Sequence, residues 1–383
     1  MNKDVVLTNA NIVTLDEVFK GTVKISDGKI DSIDRGTTLI DSSIDLEGDY
    51  LIPGLIDIHT DNLEKHVEPR PGVHWPFAAA LSTHDHQLFS AGITTVLDAL
   101  TVGDYYDQDA KSGRKGTLEQ AIIMLEEAQE SGLLRTDHHL HIRCEISTEN
   151  VLESFEPFAD DPLVRMVSVM DHTPGQRQWA NMEKWRTFNR KRFGNDDAAA
   201  EAFYIHRCEM QAKYSDKHRK AVIEACKHRN LPLASHDDTT IEHIHEACAV
   251  GIEVSEFPTT IEAAQEAHAQ DMMNVMGAPN VVLGGSHSGN VSALELAKAG
   301  LLDGLASDYV PISLLHGAFQ LWEQTDMELP AAIATVTANP ADMVDLTDRG
   351  EIAIGKRADL VWVRQWHHMP MIRGIWRAGV KMA

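Results

Sequence analysis

The sequence predicts an α/β protein, a (β/α)8 TIM barrel with a small β-sandwich domain formed by both termini. Three observations predict it. Eight apolar strand-like runs succeed one another through the middle of the chain, helical patterns lie between many of them, and both ends are β-rich. Most of the eight runs are continuous rather than alternating, as parallel strands covered by helices require. The expected boundaries are residues 1–52 and 345–383 for the two parts of the β-domain and 53–344 for the barrel.

The first β-rich stretch reads VVLTNANIVTL, GTVKISDGKIDSI and SIDLEGDYLI, with Asp-Gly and Glu-Gly as turn signals. The last, RGEIAIGKRADLVWV then IRGIWRAGVKM, has the same texture. Between them the strand candidates are GLIDIHTD, GITTVLDAL, HLHIRCEI, VRMVSVMDH, LPLASHDD, GIEVSEFPTT, NVVLGGSHSG and GLASDYVP. Helices are expected in the intervals. Leu118, Ala121, Ile122, Leu125 and Ala128 fall on one face, with a capping box at Thr117–Gln120 and Gly132 at the far end. Further boxes at Thr239–Glu242, Thr259–Glu262 and Ser292–Glu295 each lie just beyond a predicted strand. The polar, aromatic stretch 174–215 breaks this rhythm and reads as an insertion after the fourth strand, with a lid over the site as one role for it.

Composition sets limits. The formal charge is −24, which argues against nucleic-acid and anionic-membrane partners. An anionic substrate then needs local cations, either metal ions or Arg and Lys side chains. No run approaches the roughly 18 apolar residues of a membrane span, and no secretory signal is visible, so the cytoplasm is the expected compartment. The four cysteines form no C-x-x-C pair and read as reduced core thiols.

The chemistry is expected at the carboxyl ends of the strands. A hydrolytic metal site needs N and O ligands from separate strands with one position open to water. The runs end, in order, in His59 and Asp61, then Glu145, Asp171 and His172, His236, Glu256, His287 and Asp308. His59 and Asp61 are two residues apart, so one strand face presents both. A single histidine there is more often a solvated loop residue, but barrel strands converge, and acids and imidazoles at nearly every end are not expected by chance. Asp237 and Asp238 read equally well as caps of the next helix. The expected metal set is His59, Asp61, Glu145, His172, His236 and Asp308. Asp308 doubles as general base, and His287 is a second catalytic candidate. Lys65, Arg70 and Arg177 supply positive charge for substrate, whereas Arg143, mid-strand beside Glu145, reads as structural. Ser286 lies in a glycine-rich turn, 284–289, whose N–H groups suit either an anion nest or a plain βα turn.

PGLIDIHTD after a β-rich start and GEIAIGKRADLVWV near the end resemble the amidohydrolase superfamily. That resemblance implies a barrel holding one or two divalent ions, zinc first with manganese or magnesium as alternatives, and a small β-domain from both ends. The superfamily usually has His-x-His on the first strand, where this chain has His59-Thr60-Asp61. Many members carry a carboxylated lysine on the fourth strand, where this chain reads MDH, so Glu145 becomes the expected single or bridging carboxylate. Longer motifs, among them HTDNLEKHVEPRPGVHWP, MDHTPGQRQ, ASHDD, EFPTT and SDYVPISLL, are similar to a phosphonate-catabolic branch that hydrolyses a sugar 5-triphosphate to a 5-phosphate and pyrophosphate. The implied partner is that anionic small molecule, and a homo-oligomer is expected. The rival is the commoner chemistry of the superfamily, a cyclic amide hydrolase or deaminase, which needs no cationic pocket.

Overall fold

The computed structural model describes residues 4–70, 72–103, 117–179, 182–183, 185–187, 196–286 and 289–382. The N-terminal segment forms β1 (Val5–Val13), β2 (Val18–Ser26), β3 (Lys29–Arg35), β4 (Ile44–Asp45) and β5 (Tyr50–Pro53). The barrel strands are β6 (Leu55–Thr60), β7 (Ile93–Val102), β8 (Asp137–Glu145), β9 (Val164–Met170), β10 (Leu233–His236), β11 (Val254–Glu256), β12 (Met273–Gly277) and β13 (Gly304–Ala306). The chain closes with β14 (Leu360–Trp366), β15 (Met369–Arg377) and β16 (Val380–Lys381).

Strands β6 to β13 pair in parallel in sequence order. The ring is completed where β13 meets β6. Thr60 bridges Asp308, the Asp308 N–H donates to the His59 carbonyl, and the Asp61 N–H donates to the Asp308 carbonyl, both at 2.9 Å. The first and last catalytic candidates are thereby locked together by backbone hydrogen bonds. Ile56, Ile58, Leu97, Met166, Val254 and Val275 belong to the cluster that fills the barrel interior.

The terminal strands make one sheet in the order β16-β15-β14-β5-β1-β2-β3, with β4 on β1. It folds back on itself: the Ile30 N–H donates to the Lys356 carbonyl and the Ala358 N–H to the Gly28 carbonyl, joining the β2–β3 hairpin to the segment before β14. The enclosed core includes Leu7, Ile12, Ile25, Leu360 and Trp376. Two devices fasten this unit to the barrel. Gly54 passes so close to β7 that a Cβ there would collide with the Thr94 side chain. Asp137, at the start of β8, accepts from Arg349 at 2.8 Å, from Arg377 at 2.9 Å and from Arg357.

Two expectations need correction. NVVLGGSHSG is not a strand: the seventh strand is Met273–Gly277, and the apolar residues Val281–Leu283 belong to a helix, Ala278–Leu283. Pro279 in its first turn favours that helix and Gly284, at φ 76°, ends it, so an apolar run read without its flanking Pro and Gly gave the wrong element. The caps also shift. Ser292–Glu295 forms its box, but the helices Ile241–Ala249 and Ile261–Ala269 are capped one residue later than expected, by Thr240 accepting from the His243 N–H and Thr260 from the Ala263 N–H. Thr239 and Thr259 instead hydrogen-bond each other at 2.8 Å, tying together the loops after β10 and β11.

Candidate active site

A cavity of about 540 Å³ opens at the carboxyl ends of the barrel strands. Of the residues singled out in the sequence, His59, Asp61, His172, His236 and Asp308 line it, and so do Lys65 and Ser286. Glu145 stands one layer behind, against His172.

Local backbone irregularity aims these side chains. Between Asp57 and Thr60, β6 carries one residue more than its partner β7, so the in-out alternation resets and Ile58 packs in the core while His59 lines the cavity. Asp237, Phe257 and Asp308 all follow strand ends with φ near 57°, in the left-handed region. Only short polar side chains tolerate that region readily, and Phe257 is strained there. The Phe257 ring packs edge-on against His59 and His236, with centroids 5.0 and 5.4 Å away.

Three imidazoles are fixed through the same nitrogen. His59 Nδ1 lies 2.6 Å from Glu256 Oε1, His236 Nδ1 lies 2.7 Å from Glu256 Oε2, and His172 Nδ1 lies 2.6 Å from Glu145 Oε2. An ionised carboxylate only accepts, so each Nδ1 carries a proton and each Nε2 is left for another partner. That is how metal-binding histidines are held. Asp237 Oδ2 is buried without a hydrogen-bond partner, yet it lies 3.5 Å from His172 Nε2 and 3.6 Å from His236 Nε2. Those separations are long for hydrogen bonds. They match donors around a four-coordinate ion with bonds of about 2.0–2.1 Å, whose ligands stand roughly 3.4 Å apart. The donor set therefore fits a divalent cation. His59, His141 and Glu256 form a second close group beneath it.

The electrostatics agree. Burial alone would lower the His172 pKa, but the Glu145 and Asp237 carboxylates override it and push it up to about 9. A field that holds a proton at Nε2 also favours a metal cation there. Burial would raise the Glu256 carboxyl, but His59 and His141 beside it and its hydrogen bonds from His236 and His59 hold it well below the usual carboxylate range. Burial pushes the Asp308 carboxyl up and Asp61 adds to this, against the opposing pull of His59, Arg143 and Lys65. A carboxylate of raised basicity facing a cavity is suited to accept a proton from water. Burial pulls His141 down to about 3. Neutral, it donates from Nδ1 to the Ile58 carbonyl at 2.9 Å and accepts from Ser168 Oγ at 3.0 Å.

The other candidates go elsewhere. Arg70 is exposed in the turn after the helix Asn62–Val67, bridged to Val73, and does not line the cavity. Arg177 does not line it either. Its guanidinium is bound to Asp238 and to the His236 carbonyl, the latter at 3.0 Å. Asp238 is therefore no helix cap: it accepts from Arg177 and from Ser235 Oγ. His287 lies outside the described residues, as does part of 174–215. His141 joins the site although the strand-end pattern does not point to it, and Arg143, expected to be structural, lines the cavity. The signal was the alternation in HLHIRCE, which puts His141, Arg143 and Glu145 on one face of β8.

A second cluster of the same residue types lies in the barrel wall, between β7, β8 and the helix Phe77–Ser90. Asp98 accepts from His84 Nε2 at 2.6 Å and from His138 Nδ1 at 2.7 Å. Asp85 faces the other nitrogen of His138 at 3.4 Å and accepts from the backbone N–H groups of Arg135 and Thr136. No helix among the described residues is long and apolar enough to cross a membrane.

Residues 77–365 match the amidohydrolase family. The chain is 42% identical over 379 residues to alpha-D-ribose 1-methylphosphonate 5-triphosphate diphosphatase of Escherichia coli, covering 98% of this chain and 100% of that protein. It is 29% identical over 157 residues to a D-hydantoinase of Ralstonia pickettii, 41% of this chain and 31% of the hydantoinase. Among solved structures, N-acetylglucosamine-6-phosphate deacetylase from Pasteurella multocida superposes with a TM-score of 0.62 at 12% identity, over 100% of both chains. That last likeness is one of fold.

Proposed function

The chain belongs to the amidohydrolase family and is a metal-dependent hydrolase, and from that premise we propose that it hydrolyses α-D-ribose 1-methylphosphonate 5-triphosphate, releasing pyrophosphate and leaving the 5-phosphate in phosphonate catabolism. The likeness to the diphosphatase over the full length of both chains supports the substrate. The observation that carries the chemistry is the triangle of His172 Nε2, His236 Nε2 and the unpartnered Asp237 Oδ2.

In this reading His172, His236 and Asp237 hold a divalent ion, zinc before manganese or magnesium. His59, Asp61 and Asp308 stand at the same cavity to complete its shell or take part in a second site. Glu145 and Glu256 orient the imidazoles. A cation held there supplies Lewis acidity, polarising a phosphoryl oxygen and making water more acidic. Asp308 accepts the proton of the attacking water. Lys65, at 2.6 Å from Asp61, brings positive charge to the rim, where Ser286 also lines the cavity; the Gly284, Gly285 and Gly289 N–H groups are already donated to backbone carbonyls and form no anion nest. We place the enzyme in the cytoplasm as a homo-oligomer, with the β-domain limits given above.

The test is a product assay of metal-loaded enzyme in ¹⁸O-labelled water. Pyrophosphate in equal amount to the 5-phosphate is the expected result, and the product carrying the label identifies the phosphorus attacked. Orthophosphate alone, or no turnover of any sugar triphosphate, defeats the proposal. The hydantoinase likeness keeps one rival in view: hydrolysis of a cyclic amide, with no triphosphate turnover, would replace it.

A further inference from the structure

Arg143 stands on β8 between His141 and Glu145, on the strand face that looks into the barrel, and it lines the cavity. Its charge acts on Asp237 after β10 and on Asp308 after β13, on opposite sides of the site. Its guanidinium makes no hydrogen bond or ion pair with any described residue, and its Nε is buried without a partner. The nearby cations differ. Lys65 holds Asp61 at 2.6 Å, and Arg177 is engaged by Asp238 and the His236 carbonyl.

With 58 acidic side chains against 34 basic ones, a partner for Arg143 would have been easy to place. A buried donor left unmade is destabilising, and a guanidinium presents a planar fork of donors that matches two oxygens of one phosphoryl group. We infer that Arg143 is the phosphate receptor of this cavity, gripping the oxygens of the triphosphate chain beside the cation-binding triangle. The inference rests on the diphosphatase reading and assigns its recognition to Arg143 in place of Arg70 and Arg177. Because Arg143 lies among the reacting groups rather than at the rim, it holds the phosphoryl oxygens at the centre of the chemistry. Its loss therefore lowers kcat as well as raising KM.

The test uses inorganic pyrophosphate as probe, titrated calorimetrically into the zinc-loaded enzyme at concentrations that leave bound zinc unchanged, with zinc assayed in the same samples. Arg143→Gln is expected to weaken pyrophosphate about 10- to 100-fold while retaining zinc. Arg143→Lys keeps the charge without the fork and should fall between the two. Wild-type affinity in the zinc-retaining Gln variant overturns the inference. Should that variant fail to fold, wild-type affinity and unchanged kcat and KM in Arg143→Lys overturn it equally. The two readings fail separately. Arg143-dependent pyrophosphate binding without triphosphate turnover sinks the diphosphatase and spares the receptor, whereas turnover indifferent to Arg143 sinks the receptor alone.

Discussion

The cavity and the barrel wall each gather two histidines and an aspartate within a few ångströms, and they solve the problem of burying them in opposite ways. In the wall, Asp98 takes a hydrogen bond from His84 and another from His138, and His138 reaches Asp85 on its other side. Asp98 meets both of its donors at contact distance, Asp85 stands farther off at 3.4 Å from His138 with backbone N–H donors of its own, and only Nδ1 of His84 is left without a partner. In the cavity, each imidazole is closed on one side by Glu145 or Glu256, and the other side is left open toward an unpartnered Asp237 oxygen. Residue type alone does not distinguish a ligand site from a structural ion network. The distinction lies in which nitrogen is already engaged, and in whether the remaining donors face one another or a space.

The sharpest way to break this comparison is to remove one carboxylate from each cluster. Asp237→Ala should cut activity about a thousandfold and abolish stoichiometric zinc, while the metal-free protein loses only the ~1 kcal/mol that alanine costs in that left-handed turn. Asp98→Asn should do the reverse. It strands the His138 charge in the wall, at roughly 3 kcal/mol and several degrees in Tm, while the folded fraction keeps its zinc and turnover. Zinc lost from Asp98→Asn, or kept in full by Asp237→Ala, would exchange the roles of the two clusters.

A smaller effect tests how the open imidazoles are held. Glu256 accepts from both His59 and His236, one on each oxygen. Glutamine offers a single acceptor, so Glu256→Gln must release one ring or repel it. Zinc affinity should fall about 10- to 100-fold, read by competition with a chelator, with the fold intact. An unchanged affinity would mean that these histidines do not depend on Glu256 for their aim.

Much of this was legible in the chain. Parallel strands show as continuous apolar runs, and ionisable residues at their ends show where chemistry collects, so the barrel and most of the cavity's acids and imidazoles follow from sequence. What failed did so for local reasons. NVVLGG reads as a strand because its apolar run carries no period, whereas Pro279 and Gly284 mark a helix. Arg177 and Arg143 exchanged meaning because sequence order does not show that Asp238 reaches Arg177 across the barrel mouth. Nor does it show the left-handed turns at Asp237 and Asp308 that bring both carboxylates to the cavity.

The smallest expected effect is also the one that tests the wall by itself. Burial would depress His138, but Asp98 and Asp85 overcome it and push its pKa up to about 9, whereas burial keeps the neighbouring His84 below the ordinary histidine value. His138 is thus an imidazolium between two carboxylates, with neutral His84 donating to Asp98. A histidine whose pKa rises on folding contributes stability in full below its unfolded value of about 6.5 and loses it as pH climbs through the folded value. Unfolding free energy should therefore decline by more than about 1 kcal/mol between pH 6.5 and 9. His138→Gln, less stable at pH 6.5, should lose its own share of that slope and keep the share of His172, which is also pushed up. Its absence from the wild-type curve would make His138 neutral in the fold and leave Asp98 holding an uncompensated charge, so the wall would no longer be the self-satisfied counterpart of the cavity.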